Sequence, residues 1–182
     1  IAQSQLLSNR FSVTGYPACI VDMRSKMGLS ESYSIMRGVF NESLENYPAH
    51  CGVAIRSDWD EAASQAVVTV KVTSERTSEY RLILYIAEDG LKYRQNDGGV
   101  YRDYTHEHVV RKLLSATVDG DKLGQIAAGK EETEDYTVTL DDDWNAENLS
   151  FYALVTDENG YVNNLAVCKA VDGEAGYEYV ND

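Results

Sequence analysis

Cysteine and proline are scarce in this sequence, with three cysteines and two prolines among 182 residues. The cysteines, Cys19, Cys51 and Cys168, are odd in number and widely spaced, and no two of them form a CxxC pair. This pattern matches neither a zinc framework nor a dithiol redox motif. We expect Cys19 and Cys168, which lie in apolar runs, to be small buried hydrophobic side chains. A disulfide bond involving Cys51 stays open, because an oxidising compartment would permit one.

Basic residues are few as well: 16 lysines and arginines stand against 30 aspartates and glutamates, so the formal net charge is −14. A surface this acidic repels phosphate backbones, and we therefore expect no nucleic-acid partner. It disfavours anionic membrane surfaces for the same reason, and no basic amphipathic segment is present. No apolar run approaches the roughly 18 residues that a membrane-spanning helix needs. With 43% hydrophobic residues the chain can still bury a sizeable core.

Recognisable catalytic motifs are missing. The sequence has no HExxH pair, no Gly-rich phosphate loop after a strand, and no order of Ser, His and Asp that stands out as a triad. The absence of motifs lowers the expectation of catalysis. We therefore predict that the protein is not an enzyme, that it needs no cofactor, and that it has no dithiol–disulfide exchange activity.

Residues 1–48 have the pattern of an α/β segment. A weak apolar stripe predicts a helix over residues 1–10, and a turn then leads to an apolar strand at residues 18–22. We expect a loop at residues 25–28 and a second helix over residues 30–47, whose apolar side chains recur with the helical period. Ser30 is the expected N-cap of this helix. The helix should stop before Pro48, because the residue preceding a proline disfavours the helical conformation.

Residues 51–173 change to a period of two, which is typical of strands. Val68, Val70 and Val72 alternate with polar neighbours, whereas residues 82–87 are apolar on both faces and predict a central strand. Seven or so short strands separated by turn signals predict an antiparallel β-sandwich of the immunoglobulin or fibronectin kind.

Smaller features complete this second part. Asp119-Gly120 predicts a hairpin turn. Trp59 and Trp144 lie near the ends of predicted strands, and we expect them to cover the edges of the core. Residues 174–182 are predicted to be a polar, frayed tail.

The stretch from Tyr93 to Tyr104 is the candidate binding region. It has no apolar periodicity, so we interpret it as a long loop, and loops of about a dozen residues are often functional. Tyrosines mixed with Arg, Asn and Gly make adaptable contact surfaces. We predict that this loop binds a protein or a glycan at the cell surface, through Tyr93, Arg94, Asn96, Tyr101 and Arg102. The alternative is a crossover loop whose tyrosines cover the edge of the core.

His106 and His108 are weak candidates for a metal site. Two residues apart, they would point to one face of a strand, but no third ligand is apparent, and a hydrogen-bonded pair at a sheet edge is the alternative. Two acidic runs, at residues 119–121 and 141–143, lack the full calcium-loop pattern. We interpret the first as a hairpin turn and the second as a solvated loop, and we predict no metal.

Residues 11–18, with Gly15, Tyr16 and Pro17, resemble the cis-proline corner of thioredoxin-like folds. The order of helix, turn, buried strand and closing helix matches the order in those proteins. Because an X–Pro bond adopts the cis form at a cost of only roughly 0.5–1 kcal/mol, we predict that the Tyr16–Pro17 bond is cis. A thioredoxin domain carries its reactive cysteine pair ahead of this corner, so the resemblance implies that this chain lacks the N-terminal half of such a domain.

Taken whole, the chain resembles the twenty-eight-kilodalton outer membrane lipoprotein family, which joins a thioredoxin-like domain to a β-sandwich. The likeness is carried by GYPACIVDMR at residues 15–24, by AEDG at residues 87–90, by YTHEHVVR at residues 104–111, and by the strand at residues 151–157 with its hairpin. The family is essentially of unknown function, so this resemblance implies no established activity.

The resemblance does imply an exported protein of the cell envelope, in the outer membrane or the periplasm, held to the membrane only through a lipid anchor outside this chain. We therefore predict a non-catalytic binding module. The alternative is the accessory part of a thioredoxin-like oxidoreductase whose redox motif lies upstream. The sequence upstream of Ile1 distinguishes the two, since a lipobox cysteine without CxxC favours the first and a CxxC favours the second.

Overall fold

The computed structural model describes residues 2–15, 18–28 and 33–177. The protein is mainly β, with 54% strand and 14% helix. The helices are α1 (Ala2–Arg10) and α2 (Tyr33–Asn46), with one turn of 3-10 helix at Ala146–Asn148. The strands are β1 (Ala18–Val21), β2 (Ser25–Gly28), β3 (Cys51–Asp60), β4 (Gln65–Ser74), β5 (Ser78–Glu88), β6 (Leu91–Asp97), β7 (Val100–His106), β8 (Val109–Leu113), β9 (Asp121–Ile126), β10 (Glu131–Thr139), β11 (Leu149–Thr156), β12 (Val162–Lys169) and β13 (Glu174–Ala175).

The elements α1, β1, β2 and α2 form a small α/β region, here called the N-terminal unit. Strand β1 pairs antiparallel with β2, so the loop predicted at residues 25–28 is wrong. The turn between the two strands contains Asp22 and Met23 at φ values of +49° and +54°. Turns of this kind usually contain glycine, and because neither residue is glycine the sequence carried no hairpin signal here. Helix α2 ends at Asn46, two residues before Pro48, as predicted.

Two antiparallel sheets make up the rest of the chain. The first sheet has the strand order β10-β4-β3-β13, and the second has the order β12-β11-β5-β8, with β9 also paired to β5. Strand β5 lies between β11 and the β8 and β9 strands, which confirms its prediction as a central strand. The start of β3 is tied to β12, because Asn163 Oδ1 accepts hydrogen bonds from the backbone N–H groups of His50 (2.9 Å) and Cys51 (3.1 Å).

The core lies between these two sheets. Val68, Val70 and Val72 on β4 are 0–1% exposed, and their polar neighbours face solvent, as the period of two predicts. Strands of both sheets contribute to the same buried cluster, and each fully buried aliphatic side chain contributes about 1.5–3 kcal/mol to stability. Trp59 and Trp144 pack against this cluster and are partly buried, which confirms that they cover its edges.

The hairpin predicted at Asp119-Gly120 is wrong. Strands β8 and β9 do not pair with each other; both pair with β5, one after the other, as a single edge strand interrupted by residues 114–120. Gly120 closes this interruption at φ +84°, with its backbone so close to β5 that an added Cβ would lie 2.7 Å from the Leu82 carbonyl oxygen. The glycine therefore serves a close approach of two backbones and not a two-residue hairpin.

The predicted tail takes part in the fold at its start. Glu174 and Ala175 form β13, which pairs antiparallel with Arg56 and Ile55 of β3. The last five residues, 178–182, lie outside the described residues. Among the helices that the structure describes, none has the length and apolar character required to cross a membrane.

Candidate functional site

The candidate binding region is a β-hairpin and not a loop. Strands β6 and β7 pair with each other from Leu91 and His106 at the base to Asp97 and Val100 at the tip. Gly98 and Gly99 form the turn at φ values of +60° and +93°, and the Gly99 N–H donates to Asn96 Oδ1 at 2.7 Å. Neither face of this hairpin belongs to the buried core. Its strands therefore have no apolar period, and this absence explains why the loop predicted from Tyr93 to Tyr104 is wrong.

Pairing divides the hairpin side chains between two faces. We name the first the aromatic face; it consists of Leu91, Tyr93, Gln95, Asp97, Val100, Arg102, Tyr104 and His106. The opposite face consists of Lys92, Arg94, Asn96, Tyr101, Asp103 and Thr105. The predicted binding residues are thus not brought together. Tyr93 and Arg102 are on the aromatic face, and Arg94, Asn96 and Tyr101 are on the opposite one.

The aromatic face holds three aromatic rings in contact. The rings of Tyr104 and His106 meet edge to face at a centroid distance of 4.8 Å, and the Tyr93 ring lies 6.2 Å from that of His106. Tyr93 and Tyr104 are 62% and 54% exposed. Towards the tip, Arg102 Nε lies 3.6 Å from Asp97 Oδ2. This face therefore presents flat aromatic area beside hydrogen-bonding groups.

Sequence reasoning missed Tyr104 and His106 as members of this surface. The sequence pattern places Tyr104 at the end of a predicted loop and His106 in a candidate metal pair. The signal that locates them is the run Asn96-Asp97-Gly98-Gly99, a turn sequence from which the cross-strand partners can be counted outwards.

The opposite face is more polar. The Arg94 guanidinium lies 5.6 Å from the centre of the Tyr101 ring, which is the geometry of a cation–π contact. Tyr101 is 60% exposed, so the alternative in which the tyrosines cover the core edge is wrong for Tyr93 and Tyr101 alike. Asn96 is engaged in the turn. The whole hairpin has three basic and two acidic residues, and it is locally positive on a chain whose net charge is −14.

The two candidate metal ligands are separated by a break in the strand. His106 ends β7, whereas His108 follows it at φ +55°. The His108 backbone N–H donates to Asp89 Oδ1 at 2.7 Å, and its ring meets Tyr152 edge to face. The two imidazoles therefore do not share one strand face. Among the described residues no group of three or more His, Cys, Asp or Glu side chains is arranged to hold a metal ion.

The acidic runs are occupied by contacts within the protein. Asp119 binds Arg10, and Asp121 accepts hydrogen bonds from the Ala116 N–H (2.9 Å) and the Tyr136 hydroxyl (2.9 Å). Asp143 lies 3.3 Å from an Arg111 nitrogen in an exposed loop, as predicted for a solvated segment.

The three cysteines are free thiols. Cys51, for which a disulfide was left open, is buried in the core, and burial raises the pKa of its thiol to about 12. Burial raises the pKa of Cys168 to about 12 as well. Cys19 is half-buried on β1, so the expectation of full burial is met by Cys168 and not by Cys19. A thiol with so high a pKa is poorly nucleophilic at neutral pH.

One polar network was not foreseen. Arg76 Nη2 lies 2.7 Å from His50 Nε2, and His50 Nδ1 lies 2.6 Å from the Tyr80 hydroxyl, which in turn lies 2.7 Å from Ser74 Oγ. A guanidinium group only donates, so His50 Nε2 must accept, and His50 is neutral with its proton on Nδ1. Burial, followed by the charge of Arg76, lowers the pKa of His50, in agreement with the neutral form. Ser74 Oγ completes the chain by donating to the Arg76 carbonyl oxygen.

The predicted cis bond between Tyr16 and Pro17 lies outside the described residues, as does Ser30. Neither prediction is tested by the structure.

A comparison with known protein families identifies the family to which this chain belongs. The model of the family described as "Outer membrane protein Omp28" matches residues 4–175. Because this match spans nearly the whole sequence, the chain belongs to the Omp28 family of outer membrane proteins. Its location is accordingly the cell envelope, as predicted.

Among solved structures the chain is similar to HBP35 of Porphyromonas gingivalis, with a TM-score of 0.77 and 17% sequence identity. That match covers 100% of this chain and 62% of HBP35, so the chain spans less than two thirds of the length of that protein. At this identity the likeness shows the fold alone. Spo0M, a sporulation control protein from Bacillus subtilis, matches with a TM-score of 0.43 and 12% identity over 65% of this chain and 46% of its own, which is too weak to carry an argument. No curated protein matches this sequence.

Proposed function

We propose that this chain is a non-catalytic binding module of the cell envelope and that it contacts its partner through the aromatic face of the β6–β7 hairpin. The observation that carries this proposal is the exposure of Tyr93 and Tyr104, at 62% and 54%, on an element whose side chains do not belong to the core. Tyrosine is enriched at binding surfaces, where its ring supplies contact area and its hydroxyl a hydrogen bond.

The chemistry of the aromatic face favours a sugar or a polar protein surface. Flat rings pack against the apolar faces of such ligands, while Gln95, Asp97 and Arg102 offer donors and acceptors around them. An apolar small molecule would leave these polar groups unused. The locally positive hairpin also tolerates acidic groups that the rest of this acidic chain repels.

A glycan array and a binding assay with the ligands it identifies test this proposal. The double variant Tyr93→Ala/Tyr104→Ala should bind at least tenfold more weakly, because the loss of two aromatic anchors removes most of the contact energy. Its melting temperature should stay within about 2 °C of the parent, since surface substitutions usually change stability little.

Two matched controls accompany the double variant. Tyr101→Ala changes an equally exposed tyrosine on the opposite face, and Tyr33→Ala changes one that is 78% exposed on α2. Both should bind like the parent. If Tyr101→Ala weakens binding as much as the double variant does, the choice of face is wrong. If the double variant melts much earlier than the parent, the tyrosines are structural and the binding proposal fails.

A second candidate function is the accessory part of a thioredoxin-like oxidoreductase, and the N-terminal unit favours it. On this proposal α1, β1, β2 and α2 are the C-terminal part of a thioredoxin-like domain, and α2 buries none of its described residues. A helix with Phe40 and Leu44 exposed at 47% and 74% suits a place against further polypeptide of such a domain. On this proposal the sandwich is an immunoglobulin-like or fibronectin-like module of a longer lipoprotein.

The gene-product sequence upstream of Ile1 decides between these functions. A CxxC there supports the oxidoreductase, and a lipobox cysteine without CxxC supports the binding module. For the chain itself, an insulin-reduction assay should show no turnover. Turnover that disappears on Cys19→Ser would overturn the non-catalytic assignment.

A further inference from the structure

An apolar groove of about 460 Å³ lies between the N-terminal unit and the outer face of the second sheet. Leu7 and Phe11 contribute to one wall, and Ile83, Val110 and Leu154 contribute to the other. Small-molecule sites typically have volumes of about 300–1,000 Å³ and are lined mostly by hydrophobic side chains. The groove matches both criteria, and it is separate from the hairpin on which the proposed function rests.

Among the described residues that line the groove, none offers a free charge to a ligand. Arg111 lines it, but the Arg111 guanidinium is held 3.3 Å from Glu88 on one side and 3.3 Å from Asp143 on the other, so its stem faces the groove. The Tyr85 ring stacks parallel to that of Tyr152 at 4.9 Å, and burial raises the pKa of Tyr85 to about 12, which keeps it neutral. An uncharged apolar group therefore fits this part of the surface.

A polar cleft of about 490 Å³ is lined by residues next in the chain to those that line the groove. Neighbours in the chain line the two spaces: Phe11 and Val118 line the groove, while Arg10 and Asp119 line the cleft. Arg10 lines one side of the cleft. Its guanidinium is bound to Asp119 and to the Gly160 carbonyl oxygen (3.0 Å) and is therefore already engaged within the protein. The linings of the two spaces therefore meet along the chain at residues 10–11 and 118–119.

The cleft presents charges of both signs to solvent. Lys122 is exposed in its lining, and Arg81 stands beside it with two of its nitrogens bound to the Asp119 and Gly120 carbonyl oxygens. Glu79 and Glu158 are exposed carboxylates in the same lining. A headgroup that carries both a negative and a positive charge is complemented here, whereas a purely anionic one would meet the two carboxylates.

We propose that this groove and cleft bind a single-chain amphipathic lipid, with the acyl chain in the groove and a zwitterionic headgroup in the cleft. The volume and lining of the groove select an apolar chain, and the mixed charges of the cleft select the headgroup. The location of the family in the outer membrane places such lipids within reach of the protein.

Isothermal titration calorimetry with monomeric 1-palmitoyl-lysophosphatidylethanolamine and its shorter-chain analogues tests the proposal. We expect saturable binding of one lipid per chain, with affinity rising on the order of fourfold per added methylene until the groove is filled. Absence of saturable binding would overturn the proposal. So would tighter binding of a compact aromatic probe such as 1-aminoanthracene, since the site would then suit a ring and not a chain.

Val110→Trp fills the groove from its rim. Val110 is 57% exposed, so the larger side chain should not disturb folding, and lipid affinity should fall at least tenfold. The matched control is Val67→Trp, a 41% exposed valine on β4 of the other sheet, which should bind lipid like the parent. Equal affinities of the two variants would overturn the site. If no lipid binds and Val110→Trp dissociates an oligomer, a second copy of the chain covers the groove instead.

Lys122→Gln tests the contribution of the lipid headgroup to binding separately from that of the acyl chain. The substitution should weaken the binding of lysophosphatidylethanolamine several-fold. It should leave the binding of uncharged monopalmitoylglycerol unchanged, because only the former lipid has a phosphate for Lys122 to contact. If both lipids bind Lys122→Gln as they bind the parent, the headgroup assignment is wrong. Because none of these variants touches the hairpin, failure here leaves the proposed function of the aromatic face standing.

Discussion

At the scale of single residues, the His50 network links exposed and buried polar groups in one continuous chain of hydrogen bonds. Each link in it joins one donor to one acceptor, from Arg76 through His50 and Tyr80 to Ser74 and back to the Arg76 carbonyl oxygen. Such a network strengthens the local structure only while each member keeps its role as donor or acceptor. The network thus depends on a neutral imidazole.

Acidification should therefore weaken the fold through His50. Its pKa in the folded protein is lowered below the ordinary value of 6.5, so the unfolded chain binds the proton more readily. The contribution of this group to the free energy of unfolding is present above pH 6.5 and is lost as the pH falls towards the folded pKa. Glu158 and Asp157, whose charges favour the imidazolium, limit the loss. Urea unfolding at pH 7.5 and pH 5.5 measures this loss of unfolding free energy.

The matched variants for this experiment are His50→Asn and His108→Asn. The first variant removes the titrating group and should flatten the dependence of stability on pH. The second changes a histidine whose side chain is 69% exposed, and the dependence of stability on pH should remain as in the parent. A parent protein that is more stable at pH 5.5 than at pH 7.5 would contradict the assignment of a neutral His50.

At the scale of elements, the β6–β7 hairpin differs from every strand of the two main sheets. Among the described strands, β6 and β7 pair only with each other, and all of the hairpin side chains except Leu91 and His106 are exposed. An isolated two-stranded hairpin is marginally stable in water. The element thus adds little to the stability of the sandwich, and its sequence is available for binding.

Excision of the hairpin tests this separation. Replacing residues 92–105 by a short Gly-Asn-Gly link keeps the partly buried Leu91 and His106 at the base. The melting temperature should change by no more than a few °C, because no core contact is removed. Loss of the cooperative transition would instead show that the hairpin holds β5 and β8 in place, and calorimetry distinguishes the two results.

At the scale of the whole molecule, arginines join the N-terminal unit to the sandwich. Arg10 at the end of α1 binds Asp119 and the Gly160 carbonyl oxygen. Arg24 lies between two rings, 3.5 Å from the centre of Tyr47 and 4.1 Å from that of Tyr161. Because Tyr47 follows α2 and Tyr161 precedes β12, this stack couples the two parts of the chain.

Arg24→Ala should loosen the N-terminal unit while the sandwich stays folded. Loss of both ring contacts removes about 1–3 kcal/mol of local stability, so amide exchange should speed up in β1, β2 and α2. Hydrogen exchange followed by mass spectrometry measures this region by region. Arg37→Ala, at an exposed position on α2, is the control and should leave exchange unchanged. Uniform acceleration in both sheets would mean that the two parts unfold as one unit.

Elements that face the core were open to prediction from sequence. Val68, Val70 and Val72 alternate with polar residues because one face of β4 is buried, and residues 82–87 of β5 are apolar because both faces of that stretch are largely covered. Pro48 set the limit of α2 through local sterics alone. In each case the physical cause acts within a few residues of the chain, so the pattern of residue types reports it.

The candidate site could not be predicted from the sequence in the same way. A hairpin without a core face leaves no apolar period, so Tyr93 and Tyr104 could be seen as binding residues or as loop residues but not assigned to one face. Whether the five predicted side chains bind a partner stays a prediction, and pairing alone decided that they lie on two faces.

The sequence by itself determined a mainly β, acidic protein with a valine-rich core, because burial of one face imprints a period of two on a strand such as β4. Only the tertiary structure decided that β8 and β9 are one interrupted strand along β5, that His50 meets Tyr80, and that α1 lies over the second sheet to form a groove. These features join residues far apart in the chain. They depend on shape and on the direction of side chains, which the order of residue types does not record.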